Sequence, residues 1–371
     1  MNHNSNIMPI GNSLKLSLGG EIQAPQIEYR LVGKPNAPVI LVMGGISADM
    51  FVTNEEQLSS LNICDSNDST INLKKGWWHD IAGPAVSDNS NTEYDLNYEP
   101  ALSTDKFRIL SIEFLGGNGR SSSVKSPLSF DRNNTILPQD QANAIALLLD
   151  KLNITKLHAV VGNSYGGFVA QAFAIQYPSR LNQVFVICCA HTTPNKAKAN
   201  RAIQRQIIKL TLESPNHKEG LKLARSLAML SYRADDEFDG RFSAQPYERN
   251  DSFRFEFEDY LDRAGDHFVN RFCPYAYITL SQSIDLFEIN PEEIKVPIVT
   301  VAFDTDVLIP EHLVKELSDN SSSKSSHYLI QTPFGHDGFL KETQALNKIF
   351  NRHIKSEAAP QTKALTSGEH S

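Results

Sequence analysis

Three residues, separated by long stretches of chain, have the types and settings that nucleophilic catalysis needs. The first is Ser164, within Gly162-Asn163-Ser164-Tyr165-Gly166-Gly167. A short run ending in Ala159-Val160-Val161 leads into this Gly-x-Ser-x-Gly, and an apolar helical pattern follows it. A sequence of that form folds as strand, sharp turn and helix, with the serine hydroxyl exposed at the carboxyl edge of a sheet. The glycines leave out Cβ atoms where strand and helix backbones crowd together. The helix N-terminus behind the serine favours developing negative charge. Gly-x-Ser-x-Gly also occurs as an ordinary turn, so the reading depends on partners elsewhere in the chain.

A serine nucleophile needs a base, and the base needs an orienting acid. Both have candidates downstream, in the order Ser, acid, His. Phe303-Asp304-Thr305-Asp306-Val307-Leu308-Ile309-Pro310 follows a buried strand pattern. Either aspartate could serve; Asp306, directly before the apolar turn, is favoured over a merely turn-forming role. Phe334-Gly335-His336-Asp337-Gly338 lies between the last strand and the last helix. Of eleven histidines, His336 is the one on a glycine-flanked loop able to reach the serine turn. The oxyanion donors expected beside them are the backbone N–H groups of Tyr165 and Ile46, with Gly45 as the alternative to Ile46. Gly44-Gly45-Ile46 is the loop after the strand Pro38–Met43, and its glycines also permit a tight turn.

The elements that must position these residues alternate. Strands are read at 26–32, by alternation, and at 38–43, 107–114, 158–163, 184–189, 296–303 and 327–331, with helices from Pro138, from Gly166 to Tyr177, near 311–317 and from 338 to 354. That alternation implies a largely parallel sheet covered on both faces, binding ligands at its carboxyl edge. Residues 194–292 break the rhythm with helical patterns at 197–212, 218–232, 254–266 and 275–287. The expected organisation is a core over 14–193 and 293–355, an inserted helical cap over 194–292, and a disordered polar tail over 356–371. Residues 1–13 read as loose. Trp77-Trp78 is expected to pack the long loop that contains it, and the acidic Asp235-Asp236-Glu237 to start a helix or form a solvated face.

Composition narrows the class further. The 371 residues are 40% hydrophobic and 21% charged, as in ordinary soluble proteins. A formal net charge of -8 argues against a nucleic-acid surface. The four cysteines, Cys64, Cys188, Cys189 and Cys273, form no C-x-x-C and read as buried free thiols. No basic-then-apolar leader and no apolar run of membrane-spanning length is visible, so a cytoplasmic location is expected. Nothing indicates a metal site or a bound cofactor.

Taken together, the motifs resemble those of the homoserine O-acyltransferases of the α/β-hydrolase superfamily, over nearly all of residues 26–354. The likeness lies in Gly44-Gly45-Ile46-Ser47, Gly76-Trp77-Trp78, Leu115-Gly116-Gly117-Asn118-Gly119 and the Ser164 motif. It continues in Arg201-Ala202-Ile203-Gln204-Arg205-Gln206, Glu237-Phe238-Asp239-Gly240-Arg241-Phe242, Tyr260-Leu261, Asp306 to Pro310, and Gly335-His336-Asp337. The resemblance implies an α/β-hydrolase fold with a helical cap and the triad Ser164, Asp306 and His336. It also implies that Arg205 meets the acceptor's carboxylate and Asp337 its amino group, with Tyr232 near the substrate. A zwitterionic acceptor needs one fork-shaped cation and one anion, which gives those roles a physical basis. Arg201, four residues from Arg205, is read as a solvated face, and Asp337 is equally able to cap the last helix. The Arg-Ala-Ile-Gln-Arg segment looks more like the succinyl-transferring members, some of which use serine. The expected activity is ping-pong transfer from acyl-CoA, as co-substrate, to homoserine in methionine biosynthesis, by a homodimer. Serine O-succinyl transfer in cysteine biosynthesis, an esterase or thioesterase, and a non-catalytic binding protein are the alternatives.

Overall fold

A computed structural model of the protein describes residues 5–54, 75–85, 99–124 and 131–355. The polar tail, Cys64 and most of the long loop before residue 99 lie outside these residues. Among the described residues eight strands form the main sheet: β1 (Asn6–Pro9), β2 (Gln26–Val32), β3 (Val39–Met43), β4 (Arg108–Ile112), β5 (Ala159–Asn163), β6 (Val184–Ile187), β7 (Ile298–Phe303) and β8 (Ser325–Ile330). Their order is β1-β2-β4-β3-β5-β6-β7-β8. From β4 to β8 all neighbours are parallel, while β1 and β2 join the edge antiparallel.

The central strands are continuous apolar runs because both faces of the sheet are covered. Along β3, Leu41 and Met43 enter one core cluster and Ile40 and Val42 the other. Helices α1 (Pro138–Lys151) and α2 (Tyr165–Gln176) cover the first face, where ten of the twelve α2 residues are buried. A helix apolar all round is what so enclosed a position requires.

Between β6 and β7 the chain leaves the sheet. It builds α3 (Asn195–Thr211), α4 (His217–Tyr232), α5 (Asp235–Arg241), α6 (Glu256–Val269) and α7 (Pro274–Asp285). Ile208, Leu221, Ala224, Phe268, Phe272 and Tyr277 give this insertion a core of its own. It is not wholly helical. Tyr247–Arg249 pairs antiparallel with Ser252–Arg254, and Asn250 and Asp251 turn the hairpin at φ 51° and 60°. Positive φ at both central residues is the geometry of a two-residue hairpin loop, which Asn and Asp tolerate. The helix expected from residue 254 therefore starts at Glu256.

Three other expectations change. Residues 6–9 are not loose: Asn6 to Pro9 register against Tyr29 to Gln26 as an edge strand. Mostly exposed, β1 is held by ladder hydrogen bonds, with Met8 alone of its residues packing on the core. After β8 and α8 (Glu311–Asp319), the last helical stretch is two pieces, α9 (Gly338–Lys341) and α10 (Thr343–His353), separated where Glu342 turns to ψ 44°. The strand read through Cys189 ends at Ile187, and Cys188 bends away at φ 43°.

Candidate active site

Four loops leave the carboxyl ends of β3, β5, β7 and β8 on the same edge of the sheet. At the end of β5, Ser164 adopts φ 52° and ψ -118°, a conformation costing roughly 1–3 kcal/mol for a residue with a side chain. The surroundings hold it there. Ser164 N–H donates to the Ile187 carbonyl at 3.0 Å and Gly166 N–H to that of Gly44 at 2.9 Å. A Cβ on Gly162 would overlap the Gly166 carbonyl oxygen, and one on Gly166 would lie 2.5 Å from the Met43 carbonyl oxygen. The glycines in the motif are thus what lets α2 start directly against β3 and β5.

The bent turn aims Ser164 Oγ at His336 Nε2, 2.8 Å away, and His336 Nδ1 lies 2.7 Å from Asp306 Oδ2. The other Asp306 oxygen accepts from the Leu308 and Ile309 amides at 2.9 and 3.1 Å. Fixed by backbone on one side, Asp306 fixes the imidazole on the other, and this arrangement puts the proton on Nδ1 and leaves Nε2 to accept from the serine. Asp304 points elsewhere, accepting from Thr332 N–H at 2.9 Å. Burial disfavours a charged imidazolium at His336. The adjoining Asp306 carboxylate, helped by Asp337, outweighs burial and holds the histidine above its ordinary pKa.

Two backbone amides near the serine are left without an acceptor among the described residues. In the first turn of α2, Gly166 N–H is engaged by Gly44 and Gly167 N–H by Ser164. Tyr165 N–H, with no intrahelical acceptor, remains. The Ile46 amide likewise has no acceptor among the described residues. The Gly45-Ile46 loop approaches closely: a Cβ on Gly45 would be 3.7 Å from Ser164 Oγ. Ile46 packs against both the sheet core and the insertion's core, which fixes the loop between them.

Sheet edge and insertion enclose a cavity of about 320 Å³. Its wall includes Ile46, Ser164 and His336 from the core and Arg201, Arg225 and Tyr232 from the insertion, with Asp337 and Trp77. The Tyr232 ring stacks on His336 with centroids 6.0 Å apart. Trp77 packs the long loop as expected, its indole N–H donating to the Asp49 carbonyl at 2.8 Å, and also lines the cavity, whereas Trp78 is buried and stacks on it. Asp337 begins α9 by position, but its side chain caps no helical amide. Its carboxylate is turned toward Arg233, with Arg233 Nε 3.4 Å from Oδ2.

The structure places the two arginines of α3 differently from each other, and it corrects the reading of Arg201. Arg205 is not part of the cavity wall. Its Nη1 lies 2.7 Å from Asp285 Oδ2 and donates to Ser281 Oγ at 2.9 Å, so α7 draws it behind the wall. Arg201 is no solvated face: its side chain is 12% exposed, bonds Asp285 Oδ1 at 2.6 Å, and lines the cavity. Two guanidiniums sharing one carboxylate leave this buried cluster with a surplus positive charge facing the cavity. Arg271 also lines the cavity, and so does Arg225, a further cation that sequence reasoning missed. Its guanidinium lies over the rings of Tyr232 and Phe268, 5.2 and 4.8 Å from their centroids, and has no carboxylate partner among the described residues. Its spacing of seven from Tyr232 puts both on one face of α4, a signal present in the sequence but shared by other residues of that face.

Cys188 lines the cavity and, with Cys189, is a buried free thiol, while Cys273 is only partly buried. Burial pushes both buried thiols well above their ordinary range. Among the described residues no group of three or more His, Cys, Asp or Glu side chains could hold a metal ion, and no helix is long and apolar enough to cross a membrane.

Comparison with known proteins agrees with this architecture. Residues 83–343 match the family model for the alpha/beta hydrolase fold. The chain is 36% identical over 332 residues to a homoserine O-succinyltransferase of Xanthomonas campestris pv. campestris, covering 89% of this chain and 79% of that one. It is 30% identical over 306 residues to a homoserine O-acetyltransferase of Thermus thermophilus, covering 76% and 72%. The crystal structure of homoserine O-acetyltransferase from Bacillus anthracis superposes with a TM-score of 0.76 at 16% identity, covering 95% of this chain and 99% of that one, a likeness of fold. A strained serine turn at a parallel sheet edge under a helical insertion, and identity of this extent along most of the sequence, lead to one conclusion: the chain belongs to the homoserine O-acyltransferases of the α/β-hydrolase fold.

Proposed function

We propose that the protein transfers a succinyl group from succinyl-CoA to the hydroxyl of homoserine through an acyl-enzyme on Ser164. Homoserine acylation follows the relatives' activity, and the succinyl donor rests on Arg201. A dicarboxylic acyl group brings its own anion into the cavity, and the surplus charge of the Arg201–Asp285–Arg205 cluster offers it a partner there. An acetyl group would leave that charge unanswered. Arg225 and Asp337 supply the cation and the anion that a zwitterionic acceptor needs.

In this reading His336 Nε2 takes the Ser164 proton as Oγ attacks the thioester carbonyl. The tetrahedral oxyanion rests on the Tyr165 and Ile46 amides. It collapses to the acyl-enzyme as CoA leaves with the proton held by His336. The homoserine hydroxyl then gives its proton to His336, attacks the same carbonyl, and returns Ser164 Oγ to its protonated form. Transfer wins over hydrolysis only where the acceptor occupies the cavity and water does not. The Tyr232 ring and the insertion above it supply that exclusion. Methionine biosynthesis, in the cytoplasm, is the setting this activity fits. Exposed Ile203 and Leu210 on α3, with Leu223 and Leu230 on α4, repeat at seven residues and suit a homodimer.

The test is purified protein with succinyl-CoA or acetyl-CoA, each with homoserine, serine or no acceptor, following free thiol and the O-acyl product. The expected result is fast release with succinyl-CoA and homoserine together and a single-turnover burst without acceptor. Acceptor-independent turnover would make it a thioesterase, and a preference for serine would move it to the other succinyl branch.

A further inference from the structure

The insertion does more than roof the cavity. Where α4 ends, Tyr232, Arg233 and Ala234 cross directly over Gly335, His336 and Asp337. Gly335 sits at φ 56°, and a Cβ there would be 2.7 Å from the Tyr232 carbonyl oxygen. The Tyr232 ring covers His336, and Arg233 faces Asp337. Beyond Arg233 the charges alternate: its Nη1 is 3.7 Å from Glu237 Oε1, which is 3.6 Å from Arg241 Nη1. The Arg233, Glu237 and Asp337 side chains are only 13%, 16% and 19% exposed, so their charges are weakly screened. The Arg233–Asp337 contact is an ion pair outside hydrogen-bond range, and Arg233 Nε–H has no hydrogen-bond acceptor. It engages Asp337 Oδ2, while Oδ1 makes no hydrogen bond among the described residues.

We propose that Arg233 is a positioning residue for the acceptor: it holds one oxygen of Asp337 so that the other is presented to the acceptor's ammonium, with Glu237 holding Arg233 in turn. This rests on the reading of Asp337 as the ammonium partner. An unheld Asp337 could rotate toward any cation in the cavity, including Arg225 or Arg201, and would then compete with substrate for them. Arg233 prevents that collapse by occupying Oδ2 from outside the cavity. Glu237, shared with Arg241, keeps Arg233 from claiming both oxygens.

The experiment compares wild-type protein with Arg233→Met, Arg233→Lys and Glu237→Gln, using succinyl-CoA and homoserine. Two quantities are read on each: the burst of CoA without acceptor, and the homoserine concentration that half-saturates transfer. In Arg233→Met the half-saturating concentration should rise about tenfold, with more hydrolysis of the acyl-enzyme, while the burst rate changes less than about twofold. Arg233→Lys should recover most of the loss, since a single oxygen needs a point charge and not a fork. Glu237→Gln should show a smaller rise of the same kind. Equal loss of burst and transfer in Arg233→Met, or no rescue by lysine, would reduce Arg233 to a scaffold contact and overturn the proposal. Unchanged acceptor dependence in all three would overturn it as well. Absence of a burst in the wild type would instead overturn the acyl-enzyme reading.

Discussion

The sheet edge and the helical insertion face the same cavity but hold their side chains in different ways. On the sheet side the backbone holds them: Ser164 by its own N–H on Ile187 and by the neighbouring Gly166 N–H on Gly44, Asp306 by the Leu308 and Ile309 amides, and the His336 loop by Gly335 N–H donating to Thr305 Oγ1 at 3.1 Å. On the insertion side, side chains hold side chains: Arg201 and Arg205 through Asp285, Arg225 between two rings, Arg233 between two carboxylates. Groups tied to backbone move only if the fold moves. Groups tied to one another can be exchanged while the chemistry beneath them survives. On the proposed mechanism, the comparison separates residues expected to serve both half-reactions from residues expected to choose the acyl group or the acceptor.

The largest effect should come from Ser164→Ala. Without the nucleophile no acyl-enzyme forms, and turnover should fall by about five orders of magnitude or more in a protein that circular dichroism shows to be folded. Ready CoA release in that variant would end the idea that the sheet edge carries the chemistry. Next is Asp306→Asn, where the wrong imidazole tautomer should cost roughly 10⁴ in acylation and transfer alike. Asp304→Asn, on the Thr332 amide, should lose less than tenfold. A reversed ranking in stopped-flow thiol release would assign the acid to the other aspartate.

On the insertion side the effects should be smaller and selective. Arg201→Leu leaves Arg205 and Asp285 as a balanced pair, so the fold should hold while the preference for succinyl- over acetyl-CoA drops about tenfold to a hundredfold. Equal use of the two donors by the wild type would remove the basis for that role. Arg225→Lys should raise the half-saturating homoserine concentration by about tenfold with the CoA burst retained, because a point charge cannot reproduce the fork. Arg205→Lys should change it much less. If the two exchange places in steady-state assays, the cavity wall is not where the acceptor's carboxylate binds.

The smallest effect is a shift of pH dependence. His336 must be neutral to accept the serine proton, so acylation falls as pH drops through its pKa. Because Asp306 raises that pKa against the effect of burial, the acid limb should lie above the ordinary histidine value of about 6.5. In the residual activity of Asp306→Asn it should move to lower pH. A wild-type limb below 6.5 would show that burial outweighs the carboxylate.

What could be read without coordinates divides along the same line. That Ser164, His336 and Asp306 meet was legible because each sits in a short local signal: glycines that only a crowded strand-to-helix turn needs, a base in the loop after a strand pattern, or an acid directly before an apolar turn. The parallel core was legible because strands buried on both faces must be apolar throughout. The edge strand Asn6–Pro9 was not, since ladder hydrogen bonds leave no trace in side-chain type, and neither was the break at Glu342. The arginines show the limit most clearly. Arg201 and Arg205 share one face of α3 four residues apart, and periodicity treats them alike. Asp285 and Ser281, some eighty residues away on α7, draw Arg205 behind the wall and leave Arg201 on it. Arg225 reaches the cavity because Phe268 and Tyr232 bracket it from two helices. A helix's own residues specify which face is apolar; which of its cations meets a ligand depends on what other helices place beside it, and that exists only once the chain has folded.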